Sequence, residues 1–92
     1  MKNEIRKTLL DIVQILSSND EYSWAKKFEK LDSGLDDDYV SSLRTMEALY
    51  GGMGSFNDVV LHKDGVALVM ENDQLDALRH KLYQQLQEVK LR

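Results

Sequence analysis

Residues 50–61 read Y-G-G-M-G-S-F-N-D-V-V-L, and the rest of the sequence is arranged on either side of this segment. Three of the five glycines occupy positions 51, 52 and 54, between a helical pattern and an apolar run without helical periodicity. Glycine tolerates positive φ angles and close backbone approach, so the cluster indicates a sharp change of chain direction. We therefore predict a positive φ angle for at least one of Gly51, Gly52 and Gly54, as helix ends often require.

Upstream of this segment the sequence predicts three amphipathic helices. The first covers residues 3–17, and the second opens with Ser18 and Glu21 at the spacing of a capping box. Gly34 is placed to end the second helix. Three aspartates at positions 36–38 then suit the N-terminus of a third helix, which the glycines stop. The apolar faces contain Ile5, Leu9, Ile12, Leu16, Trp24, Ala25, Phe28, Leu31, Tyr39, Leu43, Met46 and Tyr50.

Downstream of the glycines two apolar groups flank the sequence H-K-D-G at positions 62–65. Asp-Gly between β-branched runs predicts a short β-hairpin, and an ordered loop is the alternative. A last helix is predicted from Asn72 or Asp73, with its leucines on one face against the first and third helices. The predicted fold is mainly α: one domain of residues 1–92, with four helices and a short β-hairpin or ordered loop before the last helix. The leucines of that face are Leu75, Leu78, Leu82 and Leu86.

Composition narrows the classes of function. The chain has no cysteine, which excludes disulfides, thiol catalysis and thiolate metal ligands. Its net charge of −4 argues against direct binding of nucleic acid, because phosphate requires a basic face. No signal peptide and no membrane-spanning run are visible in the sequence, so we expect a cytoplasmic protein without membrane binding. An acidic chain remains suited to a basic protein partner.

Catalytic and cofactor sites are poorly supported by the polar residues near the glycines. Ser55, Asp58 and His62 could compose a hydrolase triad only with an oxyanion hole and a supporting scaffold, which the sequence does not indicate. His62 and Asp64 supply two metal ligands where three or four are needed. The glycine segment lacks the lysine and the preceding strand of a phosphate-binding loop. We expect no enzyme activity and no cofactor, and instead expect Asn57 and Asp58 to bond backbone amides of the loop.

Two regions are candidates for binding a partner. The acidic region offers Glu29, Asp32 and Asp38 as a docking face for a basic protein, although helix capping and solvation also explain this stretch. The loop offers Ser55, Phe56, Asn57 and Asp58. The same 51–58 loop could instead be a structural turn, or the wall of a small-ligand pocket in a regulatory domain.

Two strings give the sequence a resemblance. G-G-M-G-S-F-N-D-V-V-L from Gly51 and E-N-D-Q-L-D-A-L-R from Glu71 resemble a family of short bacterial proteins of unknown function, over roughly residues 40–90. Proteins of this size and kind are similar to immunity proteins encoded beside bacterial toxins. That resemblance implies a protein that binds and neutralises one cognate toxin domain, and many such toxins are nucleases with basic surfaces.

Overall fold

A computed structural model describes residues 1–51 and 55–90. The described chain forms four α-helices, a 3₁₀ turn and a two-stranded antiparallel hairpin, so the predicted fold class is confirmed, including the hairpin. Gly51 does not have a positive φ angle, and Gly52 and Gly54 lie outside the described residues. The elements are α1 (Lys2–Ser18), α2 (Tyr22–Asp37), α3 (Tyr39–Ala48), the 3₁₀ turn (Phe56–Asp58), β1 (His62–Lys63), β2 (Val66–Ala67) and α4 (Val69–Lys90).

The core forms where the apolar faces of the helices meet. Helix α1 packs against α2 and α4, and α3 packs against α2 and α4. The rings of Phe28 and Phe56 lie 4.6 Å apart, and the Trp24 ring lies 5.7 Å from that of Phe56. Aromatic contact therefore anchors the 3₁₀ turn onto α2. The fully buried large side chains are Phe28, Phe56, Ile5, Leu9, Ile12, Leu16, Leu35, Met46, Leu61, Leu75, Leu82 and Leu86.

The connection between α1 and α2 differs from the prediction. Ser18 is the last residue of α1, and Glu21 precedes α2 without a side-chain capping bond, so the predicted capping box is wrong. Asn19 instead caps the C-terminus of α1, because its side-chain amide nitrogen donates to the Ile15 carbonyl at 2.8 Å. Asp20 then reverses the chain with a φ angle of 65°, a conformation that short polar side chains tolerate.

The boundary between α2 and α3 also differs. Gly34 lies inside α2, which continues to Asp37, and Asp38 caps α3 by accepting a hydrogen bond from the Ser41 amide at 3.2 Å. The predictions that Gly34 ends a helix and that Asp36 opens one are therefore wrong. A Cβ atom on Gly34 would overlap the hydroxyl of the buried Ser42, so this glycine permits close contact between the two helices.

Pairing Gly34→Ala with Ser42→Ala tests this contact. Alanine is favoured over glycine inside a helix by about 1 kcal/mol, but in the wild type the overlap with the Ser42 hydroxyl opposes that gain. Without the hydroxyl the closest atom is Cβ of residue 42 at 3.6 Å, an ordinary contact. We expect Gly34→Ala to be more favourable in the Ser42→Ala background, as measured by urea unfolding of all four proteins. Equal effects in both backgrounds would contradict the proposed overlap.

Helix α4 begins at Val69, three residues before the earlier of the two predicted starts. Asn72 lies in its first turn, where the side-chain oxygen accepts from the Leu61 amide at 2.7 Å. The side-chain nitrogen donates to the carbonyls of Leu61 and Leu68, at 3.0 and 2.8 Å. The Leu68 amide also donates to the Leu61 carbonyl at 2.9 Å, so Asn72 fastens the base of the hairpin to the start of α4.

Leu82 and Leu86 are buried as predicted, whereas Leu78 is only half-buried. Leu82→Ala should lower the free energy of unfolding by roughly 2–5 kcal/mol, because it removes buried methyl groups and leaves a cavity. Gln84→Ala, on the exposed side of the same helix, is the matched control and should change stability little. Urea unfolding followed by circular dichroism compares the two variants. A loss no larger than that of Gln84→Ala would mean that this face does not stabilise the core.

Candidate functional site

The loop residues singled out from the sequence lie in two different environments. Phe56 is completely inaccessible and belongs to the core, whereas Ser55 is buried at the edge of an open depression that Asp58 also lines. Asn57 and Asp58 are exposed. The Asn57 side-chain nitrogen donates to the Tyr50 carbonyl at 3.1 Å, so this side chain bonds a loop carbonyl where an amide was predicted. Core packing of Phe56 and the hydrogen bond of Asn57 within the loop therefore account for the positions of these two side chains.

Arg79 is a buried residue that the sequence reading missed. Its guanidinium donates to the Phe56 carbonyl at 2.5 Å and to the Val59 carbonyl at 3.1 Å. It also donates to the Asp76 carboxylate at 2.6 Å, and its centre lies 5.3 Å from the Phe56 ring. The arginine therefore ties the first residue of the 3₁₀ turn, and the residue that follows the turn, to α4. A signal was present, since position 79 falls on the apolar stripe between Leu75 and Leu82.

Tyr50 makes a second link between α4 and the end of α3. Its hydroxyl donates to the Arg79 carbonyl at 2.7 Å. Burial raises the pKa of this hydroxyl, and the positive charge of Arg79 only partly opposes that effect, so the tyrosine remains a neutral donor. Beside it lies an open groove of about 470 Å³, next to the 51–58 loop, lined by Tyr50, Asn57, Asp76, Arg79, His80 and Tyr83.

Replacing Arg79 tests its role in holding the turn. Arg79→Met retains much of the apolar stem but leaves the Phe56 and Val59 carbonyls without their donor. We expect a loss of about 3 kcal/mol in the free energy of unfolding, because buried carbonyls bonded to a charged donor become unpaired. Arg44→Met, at an exposed position of α3, is the control. Urea unfolding followed by Trp24 fluorescence measures both, and equal stability of the two variants would refute the role of Arg79.

The acidic residues singled out from the sequence are largely engaged within the protein. Arg6 donates to the carboxylates of Asp32 at 2.9 Å and Asp36 at 2.8 Å. Lys2 contacts Asp36 at 2.9 Å, and its bond, followed by that of Arg6, lowers the pKa of the Asp36 carboxyl. Asp38 caps α3, as described above. These contacts make this stretch part of the α1–α2 and α2–α3 packing.

Glu29 is the exposed member of the predicted acidic trio, and it lies on a face of mixed charge. It borders a shallow depression together with Lys26, Lys30 and Asp37. Lys26, three residues before Glu29 on the same helix, is close enough for its ammonium group to offset the negative charge of Glu29. The two lysines and the two carboxylates that border this depression therefore balance in charge.

The hairpin end of the molecule exposes four large apolar side chains, which we name the hairpin surface: Val60, Val66, Val69 and Met70. Val69 and Met70 are 73% and 72% exposed. The backbone hydrogen bond from the Leu68 amide to the Leu61 carbonyl brings their chain neighbours, Val69 and Val60, close together. Two-residue strands offer no second layer to cover Val66, and its side chain faces solvent. A contiguous patch of exposed apolar side chains is typical of a binding surface, and these four side chains are the candidates for one at this end of the molecule.

The segment that contains the hairpin surface holds an excess of acidic side chains, of which Asp76 is paired with Arg79. Residues 58–76 contain five of the sixteen acidic side chains and one of the twelve lysines and arginines. This segment therefore carries a charge of −4, and the eleven acidic and eleven basic residues elsewhere cancel. The five acidic residues are Asp58, Asp64, Glu71, Asp73 and Asp76.

Comparison with known proteins places the chain in a family. Residues 17–69, more than half of the chain, match the family described as "Domain of unknown function (DUF6966)". The chain belongs to this family. The DUF6966 match covers α2, α3, the 3₁₀ turn and the hairpin, but not most of α1 or α4. No curated protein and no solved structure matches the chain.

None of the helices in residues 1–51 and 55–90 combines the length and apolar character needed to cross a membrane. Over the same residues, no three side chains of histidine, aspartate or glutamate converge in a way that could hold a metal ion.

Proposed function

We propose that this protein is a non-catalytic, cytoplasmic binding protein whose partner is a basic protein domain. The observation that carries the proposal is the hairpin surface, where exposed apolar side chains coincide with the segment that holds the net charge. Apolar side chains such as Val69 and Met70 provide contact area that is released from water on binding. The surrounding carboxylates attract a basic partner and accelerate its approach.

An immunity protein is the specific form of this proposal. The support is the likeness of the protein in size and kind to immunity proteins, together with carboxylates beside the hairpin surface that would complement a basic toxin domain. Many toxins neutralised by such proteins are nucleases, whose surfaces are basic because they bind phosphate. An inhibitor that covers such a surface needs shape, apolar area and negative charge, and it needs no catalytic residues.

The test begins with copurification of the tagged protein from its native host and identification of a basic partner encoded beside it. Purified partner is then titrated against the wild type and against Val66→Ser/Val69→Ser/Met70→Ser, in which three exposed apolar side chains are replaced. We expect the affinity to fall at least tenfold, because the apolar contact area is lost while the exposed positions leave the fold intact. A second variant, Asp64→Asn/Glu71→Gln/Asp73→Asn, should slow association at low salt and lose this effect at high salt.

Val40→Ser is the matched control, since Val40 is 57% exposed on α3, outside the hairpin surface. It should bind like the wild type. Recovery of no stoichiometric basic partner would contradict the proposal. Unchanged affinity of the triple serine variant would equally exclude the hairpin surface as the contact area.

The groove beside Tyr50 favours a second candidate, a regulatory domain that binds a small polar ligand. Its volume of about 470 Å³ is within the range of small-molecule sites, and two tyrosines and His80 offer hydrogen bonds. The Arg79 donors described above already serve backbone carbonyls, which weakens this alternative. Ligand-induced changes in the resonances of Asn57, His80 and Tyr83, with none at the hairpin surface, would favour it over the binding-protein proposal.

A further inference from the structure

Helices α1 and α4 leave an open groove of about 550 Å³ between them. Ile15 and Leu78 are half-buried in its walls, which explains why Leu78 is less buried than its helical spacing predicts. Asp11 and Glu71 add a carboxylate from each helix. The full lining is Asp11, Gln14, Ile15, Ser18, Asn19, Glu71, Gln74, Ala77 and Leu78.

This groove is continuous with the hairpin surface along α4. Met70, Gln74 and Ala77 recur at positions i, i+4 and i+7, so they lie on one face of the helix. Met70 belongs to the hairpin surface, and Gln74 and Ala77 line the groove. A partner that contacts Met70 can therefore extend into the groove without crossing a charged ridge on α4.

We propose that the groove between α1 and α4 receives a basic amphipathic α-helix of the partner protein. This inference rests on the proposed function and names the part of the partner that binds. Two packed helices present ridges between which a third helix fits, and an apolar floor accepts its i, i+3, i+7 side chains. On α1 the lining extends from Asp11 to Ser18, which corresponds to about 10 Å or roughly two turns of contact.

Charge selects the occupant of the groove. Carboxylates at Asp11 and Glu71 complement lysine or arginine on the partner helix. Asp11 has one weak internal contact, with Lys7 at 3.9 Å, and Glu71 has no ion pair among the described residues. A second copy of this chain is disfavoured as occupant, because residues 58–76 would bring like charges together.

A designed peptide provides the direct test. The probe is an 18-residue amphipathic helix with leucine on one face and lysine on the other, and a version with glutamate for lysine is its control. Titration into isotopically labelled protein should shift the resonances of Ile15, Ala77 and Leu78, and the glutamate peptide should not. Ala77→Arg fills the groove at an exposed position and should weaken peptide binding at least tenfold. Gln84→Arg adds the same side chain to α4 outside the groove and should have no effect.

The outcomes separate this inference from the proposed function. Shifts confined to other surfaces, or equal binding by Ala77→Arg and Gln84→Arg, would overturn the groove as a helix site. Concentration-dependent shifts of the same residues without peptide would assign the groove to a second copy and also overturn it. If the copurified partner is lost from the triple serine variant but binds Ala77→Arg normally, the proposed function stands and the groove inference alone fails.

Discussion

The contact between Arg79 and the 3₁₀ turn is the interaction on which the second half of the fold depends. Buried carbonyls in a turn outside regular secondary structure need hydrogen-bond donors, because an unpaired buried carbonyl lowers the free energy of unfolding. The Arg79 guanidinium on α4 donates to the carbonyls of Phe56 and Val59, which precede it by 23 and 20 residues in the sequence. These bonds fix the turn in the conformation that packs Phe56 against Trp24 and Phe28 of α2 and directs the following residues toward the hairpin.

Apolar periodicity was sufficient to predict four helices and the faces that meet in the core, because burial of leucine and phenylalanine dominates the free energy of folding. It was insufficient at the boundaries. A glycine such as Gly34 is typical of a helix end, yet here it lies inside α2, where its lack of a side chain leaves room for Ser42 of α3. Asn72 resembles a helix cap but bonds the hairpin base, because only the folded chain brings Leu61 within its reach.

The candidate site was the harder part to predict. A run of aspartates at positions 36–38 is conspicuous in the sequence, whereas Asp36 is paired with Lys2 and Arg6 and Asp38 caps the start of α3. The acidic residues from Asp58 to Asp76 are dispersed over nineteen positions and form no run. The fold decides where each of them faces: Asp58, Glu71 and Asp76 line three different depressions, and Asp76 is paired with Arg79. Partner selection by electrostatics therefore depends on tertiary structure that no local pattern contains.

The exposed hairpin surface has a consequence for the unbound protein at high concentration. Valine and methionine side chains in contact with water favour adhesion between copies, and the like charges beside them keep the copies apart. The repulsion weakens as the pH approaches the isoelectric point of about 5.0. Colloidal stability and partner attraction thus come from the same carboxylates, so a substitution that neutralises them alters solubility together with recognition.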